Sequence, residues 1–118
     1  MSELKASKMK IVYIAGKYFG EKHYETHINI SVARNEAEFV WSRGAVAVCP
    51  HLNSSWMSGI CDEKYFYDGY IELVRRCDAV YTCWNWKDSK GAIAEVELAI
   101  VIGIPVLHNR SELMEWLN

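Results

Sequence analysis

The feature that most constrains this chain is a repeated alternation of short apolar runs with segments of helical periodicity. The apolar runs, rich in β-branched residues, have the length and composition of buried strands and fall at 10–15, 45–49, 78–84 and 104–107. Helical spacing of apolar side chains marks 24–43, 64–76 and 90–102, with a closing helical turn over 111–117. This order predicts an α/β fold, a Rossmann-like or flavodoxin-like three-layer sandwich around a four- to five-stranded parallel sheet.

The length and charge of the chain limit what such a fold can do. At 118 residues, with 51% hydrophobic and 24% charged residues, the chain fits one compact domain and not a disordered protein. We assign residues 1–9 to a flexible lead-in and 10–118 to a single domain. A net charge of −2 argues against binding to a nucleic acid polymer. No apolar run approaches the roughly 18 residues of a membrane span, so no membrane contact is expected.

The four cysteines indicate the compartment more than the chemistry. Cys49, Cys61, Cys77 and Cys83 form no Cys-x-x-Cys pair and match no zinc-site spacing. We find no signal peptide, and a disulfide framework is typical of secreted proteins. The sequence therefore predicts a cytoplasmic protein without a metal or a cofactor.

Ligands of parallel α/β sheets bind beyond the carboxyl ends of the strands. Three segments leave those ends here: Gly16–Gly20, Pro50–Asp62 and Trp84–Gly91. Residues 51–63 are rich in Ser, Asn, Gly and His and predict a long loop, and 85–91 predicts a turn. Any site is expected to be built from these three segments.

Glu95 is the most informative residue in the third of these regions. Its helical neighbours Gly91, Ala92, Leu98 and Ala99 are small or apolar, so Glu95 should face packing while Glu97 points away. A helix N-terminus can keep such a carboxylate ionised while it is partly desolvated, a state suited to a nucleophile. An ordinary first-turn glutamate explains the same pattern, and the pattern alone favours that alternative.

Ser89 and Gly91 stand at the start of the same helix. A hydroxyl, a glycine and free backbone N–H groups can cradle a phosphate. Ser89 as a plain N-cap is the simpler explanation, and the two roles are compatible.

Several other polar residues follow the strands. Lys17 can meet an anion, although Gly16–Gly20 is neither a GxGxxG nor a Walker motif. His51 and Asn53 can bind a base or sugar hydroxyl, while a structural His is the commoner case. Trp86 lies in a polar segment and is a candidate for stacking on a base or lining an interface.

Five Trp and seven Tyr are many for so short a chain. Trp41 and Tyr81 are predicted in the core. We expect Tyr13, Trp86 and Tyr70 at the strand carboxyl ends. A third group surrounds the second loop and is predicted to form a lid or a subunit contact: Trp56, Tyr65, Phe66 and Tyr67.

Several segments, taken in order, resemble one family. They are Val12-Tyr-Ile-Ala-Gly16, Ala47-Val-Cys-Pro-His-Leu52, Cys77-Asp-Ala-Val-Tyr81, Trp86-Lys-Asp-Ser-Lys-Gly-Ala-Ile-Ala-Glu95 and Gly103-Ile-Pro-Val106. Together they resemble the nucleoside 2-deoxyribosyltransferase superfamily, especially its small phage and bacterial members, over residues 10–107. The Ser-x-Gly-x-x-x-Glu stretch, Ser89 to Glu95, is the most specific part.

The resemblance implies cleavage of an N-glycosidic bond in a (deoxy)nucleoside or its 5′-monophosphate. Glu95 matches the glutamate that attacks the anomeric carbon. Ser89 matches a serine that contacts the 5′-phosphate in the nucleotide N-hydrolase branch, and Tyr13 and Gly16 match first-strand site positions. Neighbouring subunits often complete the site in this family, which implies a homo-oligomer, a dimer or tetramer.

Two departures from the family pattern leave alternatives open. Lys17 and Phe19 stand where the hydrolases carry a Ser and an Arg for phosphate. Tyr70 stands where the family has a helper Asp, so Asp68, or less favourably Glu72, would have to substitute. Ser89 stands where transferases acting on free nucleosides usually have an Asp, so the resemblance makes hydrolysis of a nucleoside monophosphate the main hypothesis. Base exchange by a 2-deoxyribosyltransferase and a non-catalytic nucleotide-binding module are the alternatives.

Overall fold

The computed structural model describes residues 8–118. Most of the lead-in predicted for residues 1–9 lies outside the described residues. Lys8 and Met9, its last two residues, are exposed and belong to no helix or strand.

Helices and strands alternate along the chain as the apolar pattern predicts. Their order is β1 (Ile11–Ala15), α1 (His23–Ser42), β2 (Val46–Val48), α2 (Pro50–Asn53), α3 (Glu63–Arg76), β3 (Ala79–Thr82), a 3-10 turn (Trp86–Asp88), α4 (Lys90–Ile102), β4 (Val106–Leu107) and α5 (Arg110–Leu117). The prediction of loop throughout 51–63 is wrong at its start, where α2 forms one short turn. Pro50 begins that turn, since its fixed φ suits a first helical position and its missing N–H has no helical partner there.

All four strands are parallel and lie in the order β2-β1-β3-β4. The central strand β1 pairs with β2 through Val12 and Ala47, and with β3 through Val12 and Ala79. The edge strand β4 pairs with β3 through Tyr81 and Leu107. This confirms the predicted α/β class with a parallel sheet of the Rossmann-like or flavodoxin-like kind.

Two apolar clusters cover the two faces of the sheet and make the fold three-layered. Because successive strand side chains alternate between faces, Val12 and Ile14 enter one cluster while Tyr13 and Ala15 enter the other. Helices α1 and α5 complete the first cluster through small and aliphatic residues, among them Ala33 of α1 and Leu113 of α5. Helices α3 and α4 complete the second through Val74, Ala92, Val96 and Ala99.

The aromatic predictions for the core have mixed outcomes. Tyr81 is 2% exposed, which confirms its core placement, and its hydroxyl donates to Glu36 Oε1 at 2.6 Å. The prediction for Trp41 is wrong, since its side chain is 54% exposed. The buried face of α1 ends with Val40, and the next residue lies about 100° further round the helix.

The strand order reverses at β1. The next strand in the chain, β2, lies on one side of β1, and β3 lies on its other side. In open parallel sheets the crevice outside the carboxyl ends at such a reversal is where ligands bind. The chain leaves β1 at Gly16 and enters α4, the helix that follows β3, at Lys90. The topology therefore brings the β1–α1 loop and the α4 N-terminus to one crevice.

Candidate active site

A cavity of about 720 Å³ opens at this crevice. Its walls come from the β1–α1 loop, from α2 and the segment after it, from the first half of α3, and from the start of α4. The lining residues are Ile14, Gly16, Lys17, Tyr18, Phe19, Pro50, His51, Ser54, Ser58, Glu63, Lys64, Phe66, Tyr67, Tyr70, Asp88, Ser89, Lys90, Gly91, Ala92 and Glu95. A volume of this size is ordinary for a small-molecule site.

Glu95 reaches this cavity from the second turn of α4. It lies on the same stripe of the helix as the buried Ala92 and Ala99, so the prediction that it faces packing is confirmed. Its Oε2 accepts a hydrogen bond from the hydroxyl of Tyr13, a fully buried residue of β1. Glu97 is exposed, as expected. The carboxylate is thus fixed in direction by the central strand.

Burial raises the pKa of Glu95 from an ordinary 4.5 to about 7, and the hydrogen bond from Tyr13 opposes that rise. The partly desolvated carboxylate expected from the sequence is present, and its burial favours the protonated form. Burial first, and then the charge of Glu95, raises the pKa of the Tyr13 hydroxyl far above its usual range. Tyr13 consequently remains a hydrogen-bond donor at any physiological pH.

Ser89 is the N-cap of α4, and its Oγ accepts a hydrogen bond from the Ala92 amide at 3.2 Å. The capping role is confirmed, and Ser89 also lines the cavity. The amides of Lys90 and Gly91 lie in the first turn, where no carbonyl is available four residues earlier. A Cβ added at Gly91 would meet only Ser89 Oγ, at 3.8 Å, so the protein itself does not demand a glycine there. Gly91 also lines the cavity.

Side chains from other parts of the chain hold the β1–α1 loop in place by hydrogen bonds to its backbone. The Lys17 amide donates to Asn85 Oδ1 at 3.1 Å, and its carbonyl lies 3.0 Å from His51 Nε2. His51 is 4% exposed, and burial lowers its pKa, so the neutral ring donates from Nε2. His51 is therefore a structural residue that ties α2 to the loop, and it lines the cavity as well.

Gly16 is also required by packing. A Cβ at this position would lie 2.8 Å from Cys83 Sγ and 2.9 Å from Cys83 Cβ. Since Cys83 is buried directly after β3, the loop can pass this point only without a side chain.

A buried asparagine pair that sequence reasoning missed supports the same loop. Asn85 Nδ2 donates to Asn29 Oδ1 at 3.2 Å, and Asn29 Nδ2 donates to the Tyr18 carbonyl at 3.1 Å. The two residues are 56 positions apart, so no local pattern connects them. The available signal was the position of Asn29 on the apolar face of α1, because a buried asparagine needs a hydrogen-bond partner.

Three predicted ligand-binding residues do not line the cavity: Tyr13, which lies behind Glu95, and Asn53 and Trp86. Trp86 packs against the second apolar cluster and stacks on His108, with ring centroids 5.6 Å apart. Asn53 lines a separate groove with Trp41 and Leu52, and its amide donates to the Tyr70 hydroxyl at 3.4 Å.

The predicted helper carboxylates are also turned away. Asp68 is exposed and does not line the cavity. Tyr67 and Tyr70 do line it, and residue 68 lies about 100° and 200° round the helix from them. Glu72, the alternative, pairs with Arg76 at 2.8 Å on the surface of α3.

The carboxylates that do line the cavity, besides Glu95, are Glu63 and Asp88. Both stand beside a helix-capping residue: Glu63 follows Asp62, the N-cap of α3, and Asp88 precedes Ser89. That adjacency was the available signal in the sequence. Lysines 64 and 90 line the cavity from the same two helix starts.

The aromatic group predicted around the second loop divides in two. Phe66 and Tyr67 line the cavity together with Tyr18 and Phe19. Trp56 and Tyr65 are largely exposed and are absent from the lining. Aromatic side chains from both the β1–α1 loop and α3 therefore line the cavity and suit a flat ring, while the Ser89 hydroxyl, backbone amides and the Lys90 ammonium lie at the start of α4.

Within residues 8–118 we find no group of three or more His, Cys, Asp or Glu side chains arranged to hold a metal ion. No helix in the same range is long and apolar enough to cross a membrane.

The fold and the cavity define a small parallel α/β protein with a partly buried carboxylate at its topological switch point. The chain belongs to the family described as Domain of unknown function (DUF4406), which matches residues 10–108. No curated protein matches the chain.

Proposed function

We propose that this protein cleaves the N-glycosidic bond of a (deoxy)nucleoside 5′-monophosphate, as a relative of the nucleoside 2-deoxyribosyltransferases. One observation carries the proposal: a single cavity holds both a partly buried carboxylate, Glu95, and an unblocked helix N-terminus at Ser89–Gly91. The first fits attack on an anomeric carbon, and the second fits a phosphate. The aromatic side chains that line the cavity supply a surface for the base.

In the proposed first step, an ionised Glu95 oxygen bonds to the anomeric carbon as the bond from that carbon to the base nitrogen breaks. The electron pair leaves with the base, which takes up a proton. The carboxylate stabilises the oxocarbenium-like transition state, and covalent capture divides one difficult step into two. In the second step, water attacks the glycosyl ester and releases the sugar 5-phosphate and free Glu95.

Tyr13 orients the nucleophile in this scheme. Its hydroxyl donates to Oε2 of Glu95, so the other oxygen is the one left to react. The same bond counters the effect of burial on the Glu95 pKa and keeps more of the group ionised.

We assign the proton donor for the departing base to Glu63 or Asp88, since both line the cavity and Asp68 does not. Glu63→Gln and Asp88→Asn distinguish them. The variant that lacks the donor should lose activity most for bases that leave poorly without a proton.

The proposed reaction has a defined pH dependence. For a substrate whose base leaves without a proton, the ionisation of the nucleophile alone sets the profile, so kcat/KM should rise about tenfold per pH unit below the Glu95 pKa of about 7 and level off above it. A rate that falls through this range would contradict the assignment of Glu95 as nucleophile.

The test is base release from a panel of deoxynucleosides and their 5′-monophosphates, with and without an acceptor base, followed by chromatography. We expect free base from monophosphates only. Glu95→Ala should abolish release, Ser89→Ala should raise KM for monophosphates, and Glu97→Gln is the matched control on the exposed side of α4. Exchange between bases would instead support the transferase.

Tyr70 favours the second candidate, a non-catalytic nucleotide-binding module. It lines the cavity where the family resemblance expects a helper Asp, and its hydroxyl is engaged with Ser54 Oγ. Nucleotide binding without turnover of any substrate in the panel would support this alternative and contradict the enzyme.

We also propose that the chain forms a homo-oligomer. Ile100 and Val101 of α4 are 67% and 81% exposed, which is unusual for adjacent aliphatic residues of a monomer. Sedimentation velocity measures this directly, and a monomer at micromolar concentration would contradict it.

A further inference from the structure

The segment between α2 and α3 carries an exposed tryptophan beside the cavity. Ser54 and Ser58 line the cavity, while Trp56 between them is 99% exposed. It is two residues from each serine, hence within about 7 Å of chain. In this position the indole buries almost none of its large apolar surface, so it contributes little to the stability of the fold.

The backbone at Trp56 is also in a conformation that a tryptophan rarely adopts. The Met57 amide donates to the Ser54 carbonyl at 3.1 Å, which closes a turn with Trp56 at its third position and a φ of 68°. The next turn is closed by Ile60 and Met57 at 3.1 Å, and it carries Gly59 at the equivalent position with a φ of 87°. Glycine is the expected residue at such a position, so Trp56 is the strained member of a matched pair.

Both ends of this segment are fixed. Tyr70 donates a hydrogen bond to Ser54 Oγ, and Ser55 Oγ donates to the Leu52 carbonyl at 2.8 Å. At the other end Asp62 caps α3 by accepting from the Lys64 amide at 3.1 Å. Residues 56–60 therefore form a short arch between two anchored points, and rotation at residue 56 moves the indole without unfolding either helix.

We propose that Trp56 is a ligand-binding residue, and that residues 56–60 close over the cavity so that its indole stacks on the base of a bound nucleotide. The inference rests on the proposed function for the identity of the ligand. Closure relieves the left-handed φ and covers the exposed indole, and Phe66 and Tyr67 already present an aromatic wall on which the base can rest. Stacking gives base affinity that tolerates different bases.

The experiment is calorimetric titration of the Glu95→Gln protein, which leaves the nucleotide intact, with dAMP and separately with 2-deoxyribose 5-phosphate. Adding Trp56→Ala should weaken dAMP binding about tenfold or more, as loss of one base–aromatic stack predicts, and leave the base-free sugar phosphate unchanged. Trp56→Phe should restore most of the affinity. Trp84→Ala is the matched control, because Trp84 is exposed and does not line the cavity.

Each outcome has a separate meaning. Equal dAMP affinity in the protein with and without Trp56, or equal weakening of both ligands, overturns the inference while the proposed function stands. Loss of an oligomer in the Trp56→Ala protein without a change in dAMP affinity overturns it in favour of a subunit contact. Trp56-dependent binding of dAMP without turnover by the wild type supports it and contradicts the enzyme. No dAMP binding by the Glu95→Gln protein overturns the inference, and base release from the substrate panel then decides the proposed function by itself.

Discussion

Glu95 is held between two opposing influences that come from different elements. Its place on the buried stripe of α4 raises its pKa, while the Tyr13 hydroxyl on β1 stabilises the ionised form. The burial effect is the larger, so the folded protein binds the Glu95 proton more tightly than the unfolded chain does. The stability of the fold must then depend on the ionisation of this group.

Glu95→Gln should stabilise the protein at alkaline pH. The contribution of Glu95 to stability is full below its unfolded pKa of 4.5 and is lost as the pH rises through its folded pKa of about 7. The glutamine never pays this ionisation penalty and can still accept from Tyr13. Thermal unfolding should show a variant more stable by about 1–3 kcal/mol at pH 8, and a much smaller difference at pH 4.5.

Glu97→Gln is the control for this experiment, because Glu97 is exposed on the same helix. It should show the same small difference from the wild type at both pH values. A pH-independent difference for Glu95→Gln would contradict the raised pKa.

Trp56→Gly should also stabilise the protein, although it removes a large apolar side chain. The indole is 99% exposed and buries almost nothing, while its φ of 68° suits glycine. Relief of that strain predicts a gain of about 0.5–1 kcal/mol in the free energy of unfolding, measured by chemical denaturation.

Gly59→Ala provides the opposite change in the neighbouring turn. Its φ of 87° leaves open space around a new Cβ but strains the backbone, so a loss of about 1 kcal/mol is expected. Destabilisation by Trp56→Gly would show that the indole makes contacts in solution that outweigh the strain.

Single residues could be predicted from sequence where the deciding contacts are local. The direction of Glu95 follows from neighbours three and four positions away, and the cap at Ser89 from the next helical turn. Partners distant in the chain could not be predicted in this way. Asn29 and Asn85 meet only when α1 and the β3 end are already placed, and the His51 contact with Lys17 has the same character.

At the scale of elements, the site depends on how closely the β1–α1 loop passes over the end of β3. The approach is tightest at Gly16, where an added Cβ would fall 2.8 Å from Cys83 Sγ. Gly16→Ala should therefore destabilise the fold by about 1–3 kcal/mol, as overpacking of a buried contact does. Denaturant titration measures the loss, and unchanged stability would show that the loop can move away freely.

Gly69→Ala is the matched control in a different element. Gly69 lies inside α3, and a Cβ there meets nothing within 4 Å. Alanine should stabilise this helix by about 0.5–1 kcal/mol, because it lowers the entropy lost on helix formation and adds no clash. The same substitution is therefore expected to destabilise the protein at Gly16 and to stabilise it at Gly69.

The elements were predictable to the extent that each buries one clear face. Alternation along β1 and the apolar run of β3 place their side chains correctly in two clusters. Helix α1 was harder, because Tyr24, Ile28 and Trp41 are apolar yet exposed, so its apolar residues do not form one stripe. Helix α3 was harder for another reason. Asp68 and Tyr70 are only two residues apart, but that spacing places them on different sides of the helix.

At the scale of the whole molecule, the two faces of one sheet have different tasks. The cluster under α1 and α5 contributes Ile14 to the cavity wall, whereas the cluster under α3 and α4 contributes Ala92 and contacts Glu95 through Tyr13. Changes in packing on the second face should therefore reach the site. The cysteines report on both faces, since Cys49 and Cys83 lie in the first cluster and Cys77 in the second.

The native protein should expose a single reactive thiol to an aromatic disulfide reagent. Cys61 is exposed, while the other three cysteines are buried. Burial raises the pKa of Cys77 to about 11 and of Cys83 to about 12, and it raises that of Cys49 as well. The three buried thiols are therefore both shielded and poorly ionised at pH 8, and they should react only after global unfolding.

Absorbance should show one equivalent of fast reaction in buffer and four in denaturant without reductant, with the fast equivalent absent from Cys61→Ser. The slow thiols should react at a common rate set by global opening, because both clusters share the same four strands. Fast reaction at Cys77 but not at Cys83 would instead show that the second cluster opens separately from the first.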